Sequence, residues 1–287
     1  MEFNALPLLS TQSHLGEGSL WDERSQRLFW VDIDGELLHI FDPATGENQS
    51  HAVGQPVGTV VLCESGGVLL AVRDGFARFD LASGQLDPIA DPESHLPDNR
   101  FNDGKCDPAG RFWAGTISMS GAPNVAALYR LDADLSVHKL LTSVTVSNGI
   151  VWSHDHTTMY YIDTPTREIA AFEYDVTTGQ LANRRVAVSV AASYGYPDGM
   201  TMDADGNLWV AMWEGHAVRC WDPLTGELLH TIHLPVACVT SCAFGGPDLQ
   251  TLYITTANAA TPASAFAGDL FSIRLSVKGV PAFRFAG

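Results

Sequence analysis

The chain has 287 residues, 46% of them hydrophobic, with 26 glycines, 15 prolines and a net charge of −17. This is a turn-rich globular composition, long enough for two ordinary domains or one large all-β domain, and its charge argues against nucleic acid and anionic membrane as partners. No apolar run reaches the ~18 residues of a membrane span, Met1–Ser10 lacks the basic stretch of a secretory signal, and Cys63, Cys106, Cys220, Cys238 and Cys242 form no Cys-x-x-Cys pair. The expectation is a cytoplasmic protein with buried, reduced thiols and neither structural zinc nor a disulfide framework.

Taken in chain order, one short unit repeats. Apolar strand-like runs start at Leu28 (LFWVD), Leu69 (LLAV), Phe112 (FWAGT), Met159 (MYYID), Leu208 (LWVAM) and Leu252 (LYITT), at spacings of 41 to 49 residues. A period of that length built only of short strands is the period of a four-stranded propeller blade, and no amphipathic helix interrupts it. A second element recurs behind the first. Phe41–Glu47, Phe79–Gln85, Tyr174–Gln180 and Trp221–Glu227 each read aromatic, Asp, two further residues, Thr or Ser, and then Gly. Asp and Thr or Ser bond the turn backbone and Gly supplies positive φ. Leu131–Ser136 and Arg274–Gly279 replace this turn in the third and sixth units. The prediction is an all-β, six-bladed β-propeller of four-stranded antiparallel blades, one domain over 1–287. Too few residues precede Leu15 for a further blade, so Phe3–Ser10 is expected to pair with the C-terminal repeat and close the ring, removing an exposed edge.

Each unit also has an innermost strand whose first residues face the channel mouth. Counting back ten or eleven residues from each apolar run gives Glu17, Thr59, Asn102, Asn148, Asp198 and Ser241. Six equivalent positions around one axis converge, presenting two carboxylates, two amides and two hydroxyls. Oxygen donors without thiolate or imidazole suit a hard divalent cation. Without one, two neighbouring carboxylates repel and one takes up a proton. Glu17, Asn148 and Asp198 are therefore the candidate metal ligands, leaving open positions for water and substrate. The plainer alternative is an inert, hydrogen-bonded channel lining. Arg100, beside Asn102, could bind substrate hydroxyls or a carboxylate, or form a surface ion pair with Asp98 or Asp103. His154-Asp-His156 falls in a turn and reads as solvated loop away from the axis. The tryptophans fall mostly on strands, as fillers between blades. Gly-x-Ser-x-Gly, a phosphate loop and His-Glu-x-x-His are absent, which disfavours a serine hydrolase, a P-loop enzyme and a zincin.

Asn99–Thr116, Ser147–Asp163, Pro197–Val210, Thr240–Gly246 and the tail Val277–Gly287 resemble the regucalcin/gluconolactonase family (the senescence marker protein lactonases), its regucalcin members above all. The resemblance implies a six-bladed propeller, metal-ligand positions at Glu17, Asn148 and Asp198, an acid/base role for Asp198, and substrate contacts at Arg100 and Asn102. Where regucalcin members carry a Glu shortly after Ala-Gly-Thr, this chain reads Ile117-Ser-Met-Ser-Gly121. Ser120 stands nearest that place, which puts one substrate contact and the sugar preference in question. The expected activity is metal-dependent opening of sugar-acid lactones such as gluconolactone, by a monomer or weak dimer using one divalent ion. Ca²⁺ is the first choice, with Mg²⁺, Mn²⁺, Zn²⁺ and Fe²⁺ left open. The competing readings are a calcium-binding regulatory protein without turnover, a phosphotriester hydrolase on the same metal site, and an interaction scaffold with no metal at its axis.

Overall fold

Each repeat folds as an antiparallel sheet, and the six sheets stand around one axis as a six-bladed β-propeller. The computed structural model describes residues 1–259 and 264–287, and among these there is no α-helix, only two single-turn 3₁₀ segments. Among the described residues no helix is long and apolar enough to cross a membrane. The innermost strands are Gly16–Asp22, Val57–Leu62, Asn99–Cys106, Ser147–Trp152, Tyr196–Met202 and Val239–Gly245. Later strands of each blade follow in chain order toward the outside. Burial follows the same order. The Gly16–Asp22 strand is wholly buried, whereas Glu47–Ala52, the outer strand of the same blade, is mostly exposed and polar.

Six apolar clusters lie among the described residues, one at each contact between neighbouring blades. A single four-stranded sheet has nothing to bury its faces against, so this inter-blade packing is what makes the repeat stable. Aromatics fill the wedges as expected: Trp21 of blade one stacks on Tyr253 of blade six at 5.6 Å, and Trp113 meets Trp152 edge-on at 5.8 Å between blades three and four. The turn chemistry also holds. Asp42, Asp80, Asp175 and Asp222 each accept a backbone N–H two residues on. Gly46, Gly84, Gly179 and Gly226 have φ between 66° and 78°. All five cysteines are buried and unpaired.

The expectation for the N-terminus needs a correction. Leu6–Leu9 does pair antiparallel with Leu270–Arg274 and supplies the outer strand of blade six. Glu2–Asn4 instead runs parallel to Leu228–His233 and adds a fifth strand to blade five. Ala5 is buried between the two stretches and donates its N–H to His233 O at 3.1 Å, so the chain swings from one blade to the next at a small residue.

The C-terminal tail crosses the end of the channel away from the mouth and touches a turn or turn-flanking residue of every blade. Lys278 O accepts from Ala204 N of blade five, and Gly279 N donates to Leu249 O of blade six. Phe283 packs edge-on against His156 of blade four, and Arg284 pairs with Asp22 of blade one. Phe285 bonds Leu62 O and Glu64 N of blade two, while Ala286 donates to Gly110 O of blade three. Under the tail lies an apolar cavity of about 80 Å³ lined by Trp21, Trp152, Phe244 and Phe283. It is too small for a sugar-sized ligand, whose sites run to several hundred Å³.

Candidate metal centre and active site

In all six blades the pairing of the innermost strand with its neighbour slips near the strand start. The irregularities fall between Glu17 and Leu20, Val57 and Thr59, Phe101 and Gly104, Ser147 and Ile150, Pro197 and Met200, and Val239 and Ser241. A bulge re-aims side chains and is a recurrent neighbour of functional sites. Here it lies where the axial residues sit. Glycine follows three of these residues for a steric reason. A Cβ on Gly149 would lie 2.8 Å from Asp198 O, and one on Gly199 would lie 2.7 Å from Thr240 O, so each glycine lets the next blade close in.

Glu17, Asn148, Asp198, Arg100 and Asn102 are all less than a tenth exposed. The carboxyls of Glu17 and Asp198 lie close enough for each to act on the other's protonation. Arg100 Nη1 donates to Asn102 Oδ1 at 2.8 Å, and Asn102 Nδ2 donates to Ser147 O at 2.7 Å and to Asn148 Oδ1 at 3.1 Å. Asn148 Nδ2 donates to Thr164 Oγ1 at 2.8 Å, and Thr164 Oγ1 donates to Pro197 O at 2.8 Å. The five predicted residues thus fall into two groups at one end of the channel: a carboxyl pair, and an amide chain that ends next to it in sequence at Pro197. Arg100 forms no ion pair with Asp98 or Asp103. Its guanidinium also donates to Phe101 O, and the carboxylates that face it are Asp34 and Glu17. The remaining axial hydroxyls are bonded elsewhere, Thr59 to Gly104 O and Ser241 to Ser19.

Burial pushes the Glu17 carboxyl up to about 8, with the charge of Asp103 adding to it, and drives Asp198 well above the carboxylate range, with Glu17 and Asp103 adding. Two buried carboxyls in contact cannot both be charged without a counter-ion, so the pair holds a proton that a cation would replace. The donors at hand are carboxylate and amide oxygens, which fit a hard divalent ion. Among the described residues no three His, Cys, Asp or Glu side chains form a metal-binding group, so such an ion would depend on Asn148 as well as on the two carboxyls.

Ser120 stands apart, exposed on the loop after Phe112–Ser118 and bonded to Ser118 Oγ at 2.9 Å. His154 and His156 lie on the far face as expected, where His154 Nε2 also contacts Asp203 O at 3.0 Å. Trp213 ends the second strand of blade five opposite Tyr196, on the mouth side. Sequence reasoning missed three groups. Asp32 accepts from His14 and Leu15 N–H, and Asp163 from Thr145 and Val146 N–H, so each fixes the chain two residues before Glu17 or Asn148. Both end apolar runs read only as strands, LFWVD and MYYID, and that shared final Asp was the available signal. Lys105, below the site, bonds Met200 O and lies close enough to Asp103 to offset its charge. Thr164 had no signal in the repeat.

A family model described as "SMP-30/Gluconolactonase/LRE-like region" matches residues 15–258. The chain is 43% identical over 282 residues to a Bacillus subtilis protein named "Putative sugar lactone lactonase YvrE", covering 96% of this chain and 97% of that one. It is 40% identical over 288 residues to regucalcin of Danio rerio, covering 98% and 97%. Among solved structures, a calcium-binding protein, regucalcin, from Agrobacterium tumefaciens superposes with a TM-score of 0.91 at 30% identity, covering 99% of this chain and 98% of that chain.

Proposed function

Because the chain belongs to the SMP-30/gluconolactonase/LRE-like family, we propose that it is a metal-dependent hydrolase that opens sugar-acid lactones, with gluconolactone as reference substrate. The observation that carries this reading is the buried Glu17–Asp198 carboxyl pair at the channel mouth, in a structure where Asn148 aims its amide oxygen away from Thr164. Glu17, Asn148 and Asp198 would hold one divalent ion, Ca²⁺ first. When bound, such an ion supplies Lewis acidity to a lactone carbonyl. Asp198 takes a proton from the attacking water and returns it to the ring oxygen as the acyl C–O bond breaks, leaving the open hydroxy acid. Arg100 presents its remaining guanidinium N–H groups, and Asn102 the open lone pair of its Oδ1, to the sugar hydroxyls, and together they fix the ring for attack. Ser120, at the rim, offers a neutral hydroxyl to the far end of the sugar. The relative named as a sugar lactone lactonase supports the substrate class, and the buried thiols suit a reducing, cytoplasmic setting.

The test follows acid release from gluconolactone by wild type and Asp198→Ala, each with and without chelator. Loss of turnover in the variant and in chelator is expected. Turnover unchanged by chelator would overturn the metal mechanism. A second reading, a calcium-binding protein without turnover, draws support from the Agrobacterium relative described as calcium-binding. It predicts ion binding by wild type with no acid release from any lactone in a panel.

A further inference from the structure

We propose that Thr164 is a positioning residue for the ion site, one that sets which atom of Asn148 faces the channel axis. This inference rests on the ion-binding reading above. An Asn amide can point either end toward a given neighbour, and only its hydrogen-bond partners decide which. Pro197 O can only accept, so the Thr164 hydroxyl must spend its proton there and offer a lone pair to Asn148. Asn148 therefore turns its NH₂ to Thr164 and its Oδ1 the other way. At the opposite end Arg100 can only donate and Ser147 O can only accept, which fixes Asn102 in the matching sense. Every bond from Arg100 through Asn102, Asn148 and Thr164 to Pro197 O thus runs in one direction, across blades three, four and five.

Thr164 itself is held firmly. Its N–H bonds Val146 O at 3.0 Å, and it opens a 3₁₀ turn closed by Arg167, which is left-handed at φ 54° and donates to Thr164 O. Arg167 stacks on Tyr196 at 3.7 Å and donates to Gly195 O at 2.6 Å. The turn from blade four therefore grips Gly195–Pro197, the approach to Asp198, while its hydroxyl orients Asn148. Replacing that hydroxyl by a methyl group leaves Asn148 NH₂ without its acceptor and Pro197 O without its donor. The amide is then held in this sense only by the longer bond from Asn102 Nδ2, at 3.1 Å, and can turn its nitrogen toward the ion, which an ion cannot use.

The experiment titrates metal-free wild type, Thr164→Val and Thr164→Ser with Ca²⁺, Mg²⁺, Mn²⁺ and Zn²⁺ in turn by calorimetry, alongside the melting temperature in chelator. For the ion that wild type binds most tightly, Thr164→Val is expected to lose about 10- to 100-fold in affinity, and Thr164→Ser to stay within about 3-fold of wild type. Both should melt in chelator within a few degrees of wild type. Affinity retained in Thr164→Val, or lost equally in Thr164→Ser, overturns the role of the hydroxyl while leaving the ion site standing. Failure of Thr164→Val to fold also overturns it, because the hydroxyl would then serve the fold. Wild type that binds none of the four ions brings down this inference together with the ion-binding reading.

Discussion

Replacing Phe285 by Ala tests whether the C-terminal tail is part of the packed ring or merely lies on it. The side chain is fully buried in the cluster between blades two and three, with Val61, Cys63, Leu69, Phe112 and Tyr129. The surrounding wall consists of strands tied into two sheets, so it has little freedom to collapse into the space left behind. Truncating a buried Phe in such a setting costs about 3–5 kcal/mol, the lost transfer energy plus the cavity. Against a total stability of about 5–15 kcal/mol this is a large fraction, and for a chain of this size it lowers the melting temperature by roughly 6–20 °C. The backbone bonds of Phe285 to Leu62 O and Glu64 N do not need its side chain, so the loss reports packing. Urea unfolding followed by tryptophan fluorescence measures it, with Leu224→Ala as control, since Leu224 is 82% exposed. A loss no larger than that of the control would refute the reasoning. Because the tail seals the far end of the channel, ion affinity measured well below the melting temperature should be unchanged.

Acid stability carries a second expectation. Burial lowers the His39 imidazole from its ordinary 6.5 to about 4; it stacks on Trp30 at 3.9 Å and its Nε2 has no partner. The unfolded chain then takes up this proton first, so the contribution is whole above pH 6.5 and is lost as pH falls toward 4. It amounts to about 3 kcal/mol. His39→Phe should flatten that part of the curve relative to wild type in urea titrations from pH 7 to 4, and an identical slope in the two proteins would remove His39 from the account. At the site, Arg100→Lys keeps the charge but loses the planar guanidinium, whose Nη1 alone serves both Asn102 Oδ1 and Phe101 O and leaves its other N–H groups for substrate. KM for gluconolactone is expected to rise about 10-fold, a loss of about 1.4 kcal/mol, with ion affinity nearly unchanged. Equal KM values would take Arg100 out of substrate binding.

The ring was legible because its determinants are local and repeated. A short apolar run, an Asp-containing turn and a glycine with positive φ each declare themselves within a few residues, and their period counts the blades. The axial residues were legible for the same reason: equal spacing from equivalent strands places Glu17, Asn102, Asn148 and Asp198 at one level of one channel. What the pattern could not carry was anything decided between blades. The swing of Glu2–Asn4 onto blade five depends on an open outer edge there, and the tail's path depends on six turns meeting on one face.

The supports of the site show where that boundary falls. In blades one and four the second strand ends in Asp, and Asp32 and Asp163 hold the backbone just ahead of Glu17 and Asn148. Blade five has Met212 at the corresponding place in Leu208–Met212, with no carboxylate to hold the approach to Asp198. The hold comes from blade four instead, as Thr164 on Pro197 O and Arg167 on Gly195 O. A repeat read by itself shows blade five only as a blade lacking its Asp. The residues that make good the loss sit 33 and 28 places before the ones they hold, in a turn whose sequence, Thr-Pro-Thr-Arg, says nothing about the neighbour it reaches. Asp198 is thus placed by a contact between blades, whereas Glu17 is placed by one within its own blade. The two halves of the carboxyl pair are for that reason unequally exposed to change in blade four.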